Sequence, residues 1–191
     1  MAERTRVAVL LSGRGSNMQS LVAASRAPDA RYDIVLVASD KPEAPGLTWA
    51  AGQGIATFAA SPKGRPKAEF EGEIDAALRA AGVELIALAG YMRLLSPAFV
   101  AAWAGRILNI HPSLLPKYKG LDTHARAIAA GDTVAGASVH LVTEALDDGP
   151  VIGQTQVPVM ADDTADTLAA RVLVAEHALY PAALNGFLSA R

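Results

Sequence analysis

The 191-residue sequence contains no cysteine. Disulfides, thiolate zinc sites, iron–sulfur clusters and a cysteine nucleophile are therefore excluded. Aromatic residues are scarce, at 5%, so the core has to be built from small and branched aliphatics, as in sheets covered by helices on both faces. Neither sign of charge is in excess: 17 Lys and Arg stand against 19 Asp and Glu, a formal net charge of -2. A long nucleic-acid backbone would find no basic surplus to hold it. The four histidines are scattered along the chain, which argues against a histidine metal cage, and no metal is expected. Long hydrophobic runs are missing too. Gly, Pro, Asp or Lys breaks every apolar run within about ten residues, short of the roughly 20 needed to span a bilayer. The polar opening Met1-Ala2-Glu3-Arg4-Thr5-Arg6 does not read as a signal peptide. These absences lead to the expectation of a cytoplasmic protein, with no membrane or nucleic-acid partner, folded as one domain over 1–191.

What is present is a regular alternation. Val7-Ala8-Val9-Leu10-Leu11 runs into Ser12-Gly13-Arg14-Gly15-Ser16-Asn17, and Met18, Leu21 and Val22 follow at helical spacing. This reads as strand, tight loop and helix, with Ser16 as the helix cap. Continuous apolar runs at 34–38, 55–58, 85–89 and 106–110 read as further strands. Helices are expected at 46–53, at 67–81 with Phe70, Ile74, Ala77 and Leu78 on one face, for about two turns from Pro97, and at 123–130. Segments 137–142 and 151–157 alternate like a hairpin. A last helix starts from a Thr164 cap and carries Leu168, Val172, Ala175 and Leu179 on one stripe, with Pro181 kinking it or ending its regular part. The βα rhythm predicts an α/β protein with a Rossmann-like open, mostly parallel sheet, helices on both faces, and ligands beyond the carboxyl ends of the strands.

Three places carry chemistry in this reading. The Ser12-to-Asn17 loop opens a helix, so its backbone N–H groups and the positive helix end suit a phosphate. An ordinary βα turn would look the same. A dinucleotide fingerprint is the alternative, with Asp40 as the ribose acid, although Met18 stands where its third glycine belongs. Asn109 interrupts the strand Ile107-Leu108-Asn109-Ile110, and His111 lies two residues on, so both project on one side at the strand's carboxyl end. Pro112 biases His111 toward extended backbone. The loop holding Glu144, Asp147 and Asp148 could be a simple acidic hairpin turn, or it could bring a carboxylate to His111 to orient its imidazole; spacing leaves open which one. Gly90-Tyr91-Met92-Arg93-Leu94-Leu95 is an apolar loop beyond a strand, suited to a flat organic ligand. Of the two X-Pro bonds in the 111–120 loop, Leu115-Pro116 is the expected cis one, because a trans His111-Pro112 link continues the strand.

The blocks Leu11-Ser12-Gly13-Arg14-Gly15-Ser16-Asn17, Leu88-Ala89-Gly90-Tyr91-Met92-Arg93-Leu94-Leu95-Ser96-Pro97, Leu108-Asn109-Ile110-His111-Pro112-Ser113-Leu114-Leu115-Pro116-Lys117-Tyr118, Ser138-Val139-His140 and Leu146-Asp147-Asp148-Gly149-Pro150-Val151-Ile152 occur in this order. Taken together, they resemble the glycinamide ribonucleotide formyltransferases, a family of the folate-dependent formyltransferase superfamily. The resemblance implies the formyltransferase type of fold and formyl transfer from 10-formyltetrahydrofolate to glycinamide ribonucleotide. It implies catalytic roles for Asn109, His111 and Asp147. It further implies that Gly15, Ser16 and Asn17 hold the substrate phosphate, with Glu176 near the glycinamide or ribose end. Met92, Arg93, Leu94, Leu95, Asn109, His140, Val142, Thr143 and Asp147 would form the folate site, in a monomer or a homodimer. Asp40, Lys119 and Asp122 depart from the family's usual residues, none at a catalytic position. A nicotinamide-dependent oxidoreductase and a non-catalytic binder of a phosphorylated metabolite are the rival functions.

Overall fold

The computed structural model describes residues 4–190; the polar start at Met1, Ala2 and Glu3, and Arg191, lie outside the described residues. Seven strands form one sheet in the order β3-β2-β1-β4-β5-β6-β7. The strands are β1 (Thr5–Leu11), β2 (Tyr32–Ser39), β3 (Ala56–Ala59), β4 (Leu85–Leu88), β5 (Ile107–His111), β6 (Val134–Leu141) and β7 (Val151–Pro158). The first five are mutually parallel, whereas β5–β6 and β6–β7 pair antiparallel. The inner parallel strands are short apolar runs because helices cover both of their faces, whereas the edge strand β3 is largely exposed.

The helices are α1 (Ser16–Ser25), α2 (Pro45–Gly52), α3 (Lys67–Ala80), α4 (Pro97–Ala102), α5 (Thr123–Ala129) and α6 (Ala165–Ser189). One face of the sheet packs Val7, Val9, Leu108 and Ile110 with Met18 and Leu21 of α1, Leu47 of α2, and Tyr180 and Leu184 of α6. The other packs Ala8, Leu10, Ile86 and Ile107 with Phe70, Ile74 and Leu78 of α3, Phe99 of α4 and Trp103 just after it. Strand alternation puts Asn109 and His111 on the face that carries Ile107. Only Ile107 of β5 joins that α3–α4 core, so the sheet face toward the carboxyl end of β5 is left for a site.

Three local features are set by the tertiary structure. Ser16 is the first residue of α1, and Gly15, at φ 73°, takes the cap position, with no side chain capping the helix. The start of the helix thus keeps its amides for another acceptor. Pro181 lies inside α6, which continues to Ser189; Tyr180 and Leu184, both fully buried, tie the two sides of the proline into the core. The β6–β7 connection does not stay at the carboxyl edge of the sheet. Leu141 lies opposite Leu108, and Val142 donates its N–H to Ile107, so the chain leaves β6 at the amino end of β5 and has to double back. Gly149 permits that return: a Cβ there would stand 1.7 Å from the Leu141 carbonyl oxygen. Thr164 caps α6 in a reciprocal capping box with Thr167, and the Leu115-Pro116 bond is cis.

Candidate active site

Asn109 and His111 stand at the carboxyl end of β5, and β6 brings His140 directly opposite Asn109. The His140 Nδ1 faces the Leu141 carbonyl at 2.9 Å. A carbonyl only accepts, so Nδ1 carries a proton, and Nε2 is the ring atom turned toward Asn109 and Asp147. Asn109 Nδ2 lies 3.3 Å from that Nε2. This contact orients the amide with its NH2 group toward His140 and leaves its second N–H to donate elsewhere. His140 itself is buried, at 3% side-chain exposure. Its ring backs Asn109 from the β6 side.

His111 is also buried. Its Nε2–H donates to the Tyr118 carbonyl at 2.9 Å, which turns Nδ1 to Asp147 Oδ2 at 3.4 Å. Asp147 is the carboxylate that the returning loop delivers. Its Oδ2 accepts the Gly120 N–H at 3.0 Å, and its Oδ1 lies 3.5 Å from His140 Nε2. Its backbone takes the left-handed conformation, φ 48°, which is uncommon outside glycine, asparagine and aspartate. Burial alone would raise this carboxyl, but the His140 contact, the Gly120 N–H and the two imidazoles outweigh it, and the group is held below the ordinary carboxylate range. Glu144 stays exposed, and Asp148 pairs with Lys119 at the surface, so of the three acids in this loop Asp147 alone contacts His111.

The Ser12-to-Asn17 loop forms the second part. Gly15 is required where it stands: besides its positive φ, a Cβ would lie 2.8 Å from Leu11 Cδ2. The fit to a phosphate rests on the uncapped amides of α1. Asn17 Nδ2 donates to Glu176 Oε2 at 2.8 Å, which joins α1 to α6. Asn17 Oδ1 is buried without a partner, and burial raises the Glu176 carboxyl, opposed by the bond from Asn17. Both side chains thus hold polar capacity at the mouth of the loop. Asp40 is no free ribose acid, because it is buried and accepts the Ser12 hydroxyl at 2.6 Å.

The Gly90-to-Leu95 loop supplies the apolar wall. Met92 and Leu94 are 68% and 66% exposed, while Leu95 and Val142 pack at the edge of the α3–α4 core. Such exposed apolar side chains beside a half-buried apolar edge suit a planar ligand. The Arg93 guanidinium sits over the Phe70 ring, 5.6 Å from its centre. Thr143 is exposed and bonds only within its own loop, to the Ala145 carbonyl.

Sequence reading missed two contributors, the Tyr118 carbonyl that fixes the His111 ring and Glu71 on α3, and gave Asp40 the part of a ribose acid, whereas it lies behind Ser12. Glu71 had a visible signal, since it adjoins Phe70 on the edge of an apolar helical stripe. The Tyr118 carbonyl had none. Among the described residues, no group of three or more His, Asp or Glu is arranged to hold a metal ion, and no helix is long and apolar enough to cross a membrane.

Comparison with known proteins gives a consistent result. The formyl transferase family matches residues 5–184. The chain is 45% identical to phosphoribosylglycinamide formyltransferase of Escherichia coli (strain K12), over 97% of its own length and 88% of that protein. It is 47% identical to the trifunctional purine biosynthetic protein adenosine-3 of Drosophila melanogaster over 95% of its length, but spans only 14% of that much longer protein. The crystal structure of phosphoribosylglycinamide formyltransferase from Brucella melitensis superposes with a TM-score of 0.94 at 54% identity, covering 98% of this chain and 97% of that one. A family match across nearly the whole chain, on a shared fold, means that this chain belongs to the formyl transferase family.

Proposed function

We propose that this chain transfers the formyl group of 10-formyltetrahydrofolate to the amine of glycinamide ribonucleotide, giving formylglycinamide ribonucleotide and tetrahydrofolate in purine biosynthesis. The observation that carries this reading is the convergence of Asn109, His111 and Asp147 at the open end of β5 in a formyl transferase chain. The names of the E. coli and B. melitensis proteins supply the acceptor substrate. The α1 amides with Ser16, Asn17 and Glu176 hold the phosphorylated acceptor, and the Met92-to-Leu95 wall with Val142 and Thr143 takes the folate.

The chemistry needs few groups. The acceptor amine attacks the formyl carbon, and its electron pair forms the new C–N bond while the carbonyl oxygen becomes an oxyanion. Asn109 donates its free amide N–H to that oxygen, an interaction strongest once charge has developed. His111, oriented by the Tyr118 carbonyl and by Asp147, is the acid–base group that relays the proton. As the tetrahedral species collapses, the C–N10 bond breaks, and the proton lost by the amine ends on N10 of tetrahydrofolate. All of these residues come from one chain, so a monomer and a homodimer would carry the same centre. The partners are two small molecules and the proposed compartment is the cytoplasm.

Of the two rivals, nicotinamide chemistry loses its ribose acid because Asp40 is engaged by Ser12. A mere binder would have no use for an oriented Asn109 and a paired His111. The test is formyl transfer from 10-formyltetrahydrofolate to glycinamide ribonucleotide, followed by the absorbance change as tetrahydrofolate forms. Absence of turnover with both substrates present would overturn the proposal.

A further inference from the structure

The apolar wall formed by Tyr91 to Leu95 has little regular structure of its own, yet it is tied down at both ends. At the first end the Met92 N–H donates to Ser12 Oγ at 2.9 Å, and the Ser12 hydroxyl donates to Asp40 Oδ1 at 2.6 Å. At the other end the Ser96 N–H donates to Glu71 Oε1 at 2.8 Å, and the Ser96 hydroxyl donates to Glu71 Oε2. Ser96 Oγ in turn accepts the Phe99 N–H and so caps α4. Asp40 and Glu71 are both about 5% exposed, and Glu71 has Lys67 4.0 Å away as its nearest cation. Buried carboxylates are costly unless their hydrogen bonds are satisfied, and here two of them spend their bonds on one short loop. Tyr91 lies in the field of both: burial first, then Asp40 and Glu71, raise its phenol, with Arg93 opposing.

We infer that Asp40 and Glu71 are positioning residues for the folate co-substrate: two buried anchors that hold the Met92 and Ser96 ends of the wall in register with the carboxyl end of β5. Neither carboxylate is assigned a contact with substrate, and each acts through a serine. The Ser12 link also ties the wall to the phosphate loop, since the Ser12 N–H donates to Gly90 O at 3.0 Å. Charge-assisted bonds of this kind are about twice as strong as neutral ones. The two anchors thus fix a segment that its own backbone bonding would leave loose. The inference about folate rests on the proposed formyl transfer, whereas the anchoring itself can be measured without it.

The experiment is amide hydrogen exchange over 90–96, together with steady-state kinetics, on the full chain and on Glu71→Ala, Glu71→Gln and Asp40→Ala. In Glu71→Ala the Ser96 amide should exchange at least tenfold faster, and KM for 10-formyltetrahydrofolate should rise about tenfold, the loss of one charge-assisted bond. In that variant kcat should stay within about threefold and KM for glycinamide ribonucleotide should not move. Glu71→Gln keeps one acceptor for the Ser96 N–H but loses the charge, so both effects should be present at about threefold. Asp40→Ala should loosen the Met92 amide and leave the Ser96 amide protected. Unchanged exchange in Glu71→Gln overturns the anchoring even if the alanine variants do not fold. Changed exchange with an equal rise in both KM values, or with a loss confined to kcat, overturns the folate assignment. If the wild-type chain transfers no formyl group the proposed function falls, while the exchange rates still judge the anchors.

Discussion

The Ser12-to-Asn17 loop and the β5 centre are built in opposite ways. The loop at Ser12-to-Asn17 uses backbone amides at the start of α1, fixed by the strand before them and the helix after them, with Gly15 at φ 73° making the turn. The centre uses side chains whose directions are set by partners on other segments: Asn109 by His140 of β6, and His111 by Tyr118 in the loop after β5 and by Asp147 of the returning loop. A backbone site is built locally and tolerates side-chain loss, except where a side chain would not fit. A side-chain site fails when any one member or its partner is removed.

The largest expected effect tests that difference directly. His111→Ala should lower kcat by roughly 10² to 10⁴, the usual range for a positioned acid–base group, and Asn109→Ala by roughly 10² to 10³ with little change in KM, because its donor acts mainly on the oxyanion. Steady-state kinetics on folded variants checks both. Near wild-type turnover in the pair would remove the catalytic assignment.

At the loop, Gly15→Ala should act first on the fold. Its left-handed backbone costs an L-residue about 1 to 2 kcal/mol, so the melting temperature should drop by roughly 2 to 8 °C at about 2 to 4 °C per kcal/mol. An unchanged melting curve would show that the turn relaxes to negative φ. Ser16→Ala, by contrast, should leave the melting curve in place, since Ser16 caps nothing. It should weaken binding of the phosphorylated substrate by about tenfold, the low end for one hydrogen bond to a charged group, with folate binding unaltered by calorimetric titration.

The smallest effect concerns pH. Asp147 is held below the ordinary carboxylate range in the folded protein, so it stays charged where the unfolded chain has already taken up its proton. Its contribution to stability is complete above the unfolded value, near pH 4, and is lost as pH falls through the lower folded value. The difference in urea midpoint between wild type and Asp147→Asn should therefore be constant from neutrality to about pH 5 and narrow below about pH 4. A gap independent of pH would mean that the carboxylate gains nothing from its two imidazoles.

Much of this molecule could be read along the chain. The strands announce themselves as apolar runs because two helical layers bury them, and α3 shows its inner face through Phe70, Ile74 and Leu78. Asn109 was visible as the polar break in such a run, and His111 as its neighbour on the same face. Ser16 misled, because a serine before a helical pattern resembles a cap whether or not the preceding glycine has already taken that position. Pro181 left two readings open, a kink or an end, and burial on both sides of it excludes the end by carrying α6 on to Ser189.

Sequence by itself determined the βα order, the tight turn between β1 and α1 and the placing of Asn109 and His111 on one side of β5, because each depends on periodicity or on a residue's own backbone. Its resemblance to a family further singled out Asp147. Tertiary structure alone decided the antiparallel register that sets His140 against Asn109, the return of the 143–150 loop that brings Asp147 to His111, and the use of Asp40 and Glu71 at either end of the apolar wall. The physical reason is that each of these contacts is a hydrogen bond or close approach between polar groups distant along the chain. Which groups meet is settled only when the apolar faces of the helices close on the sheet, and no local pattern records it.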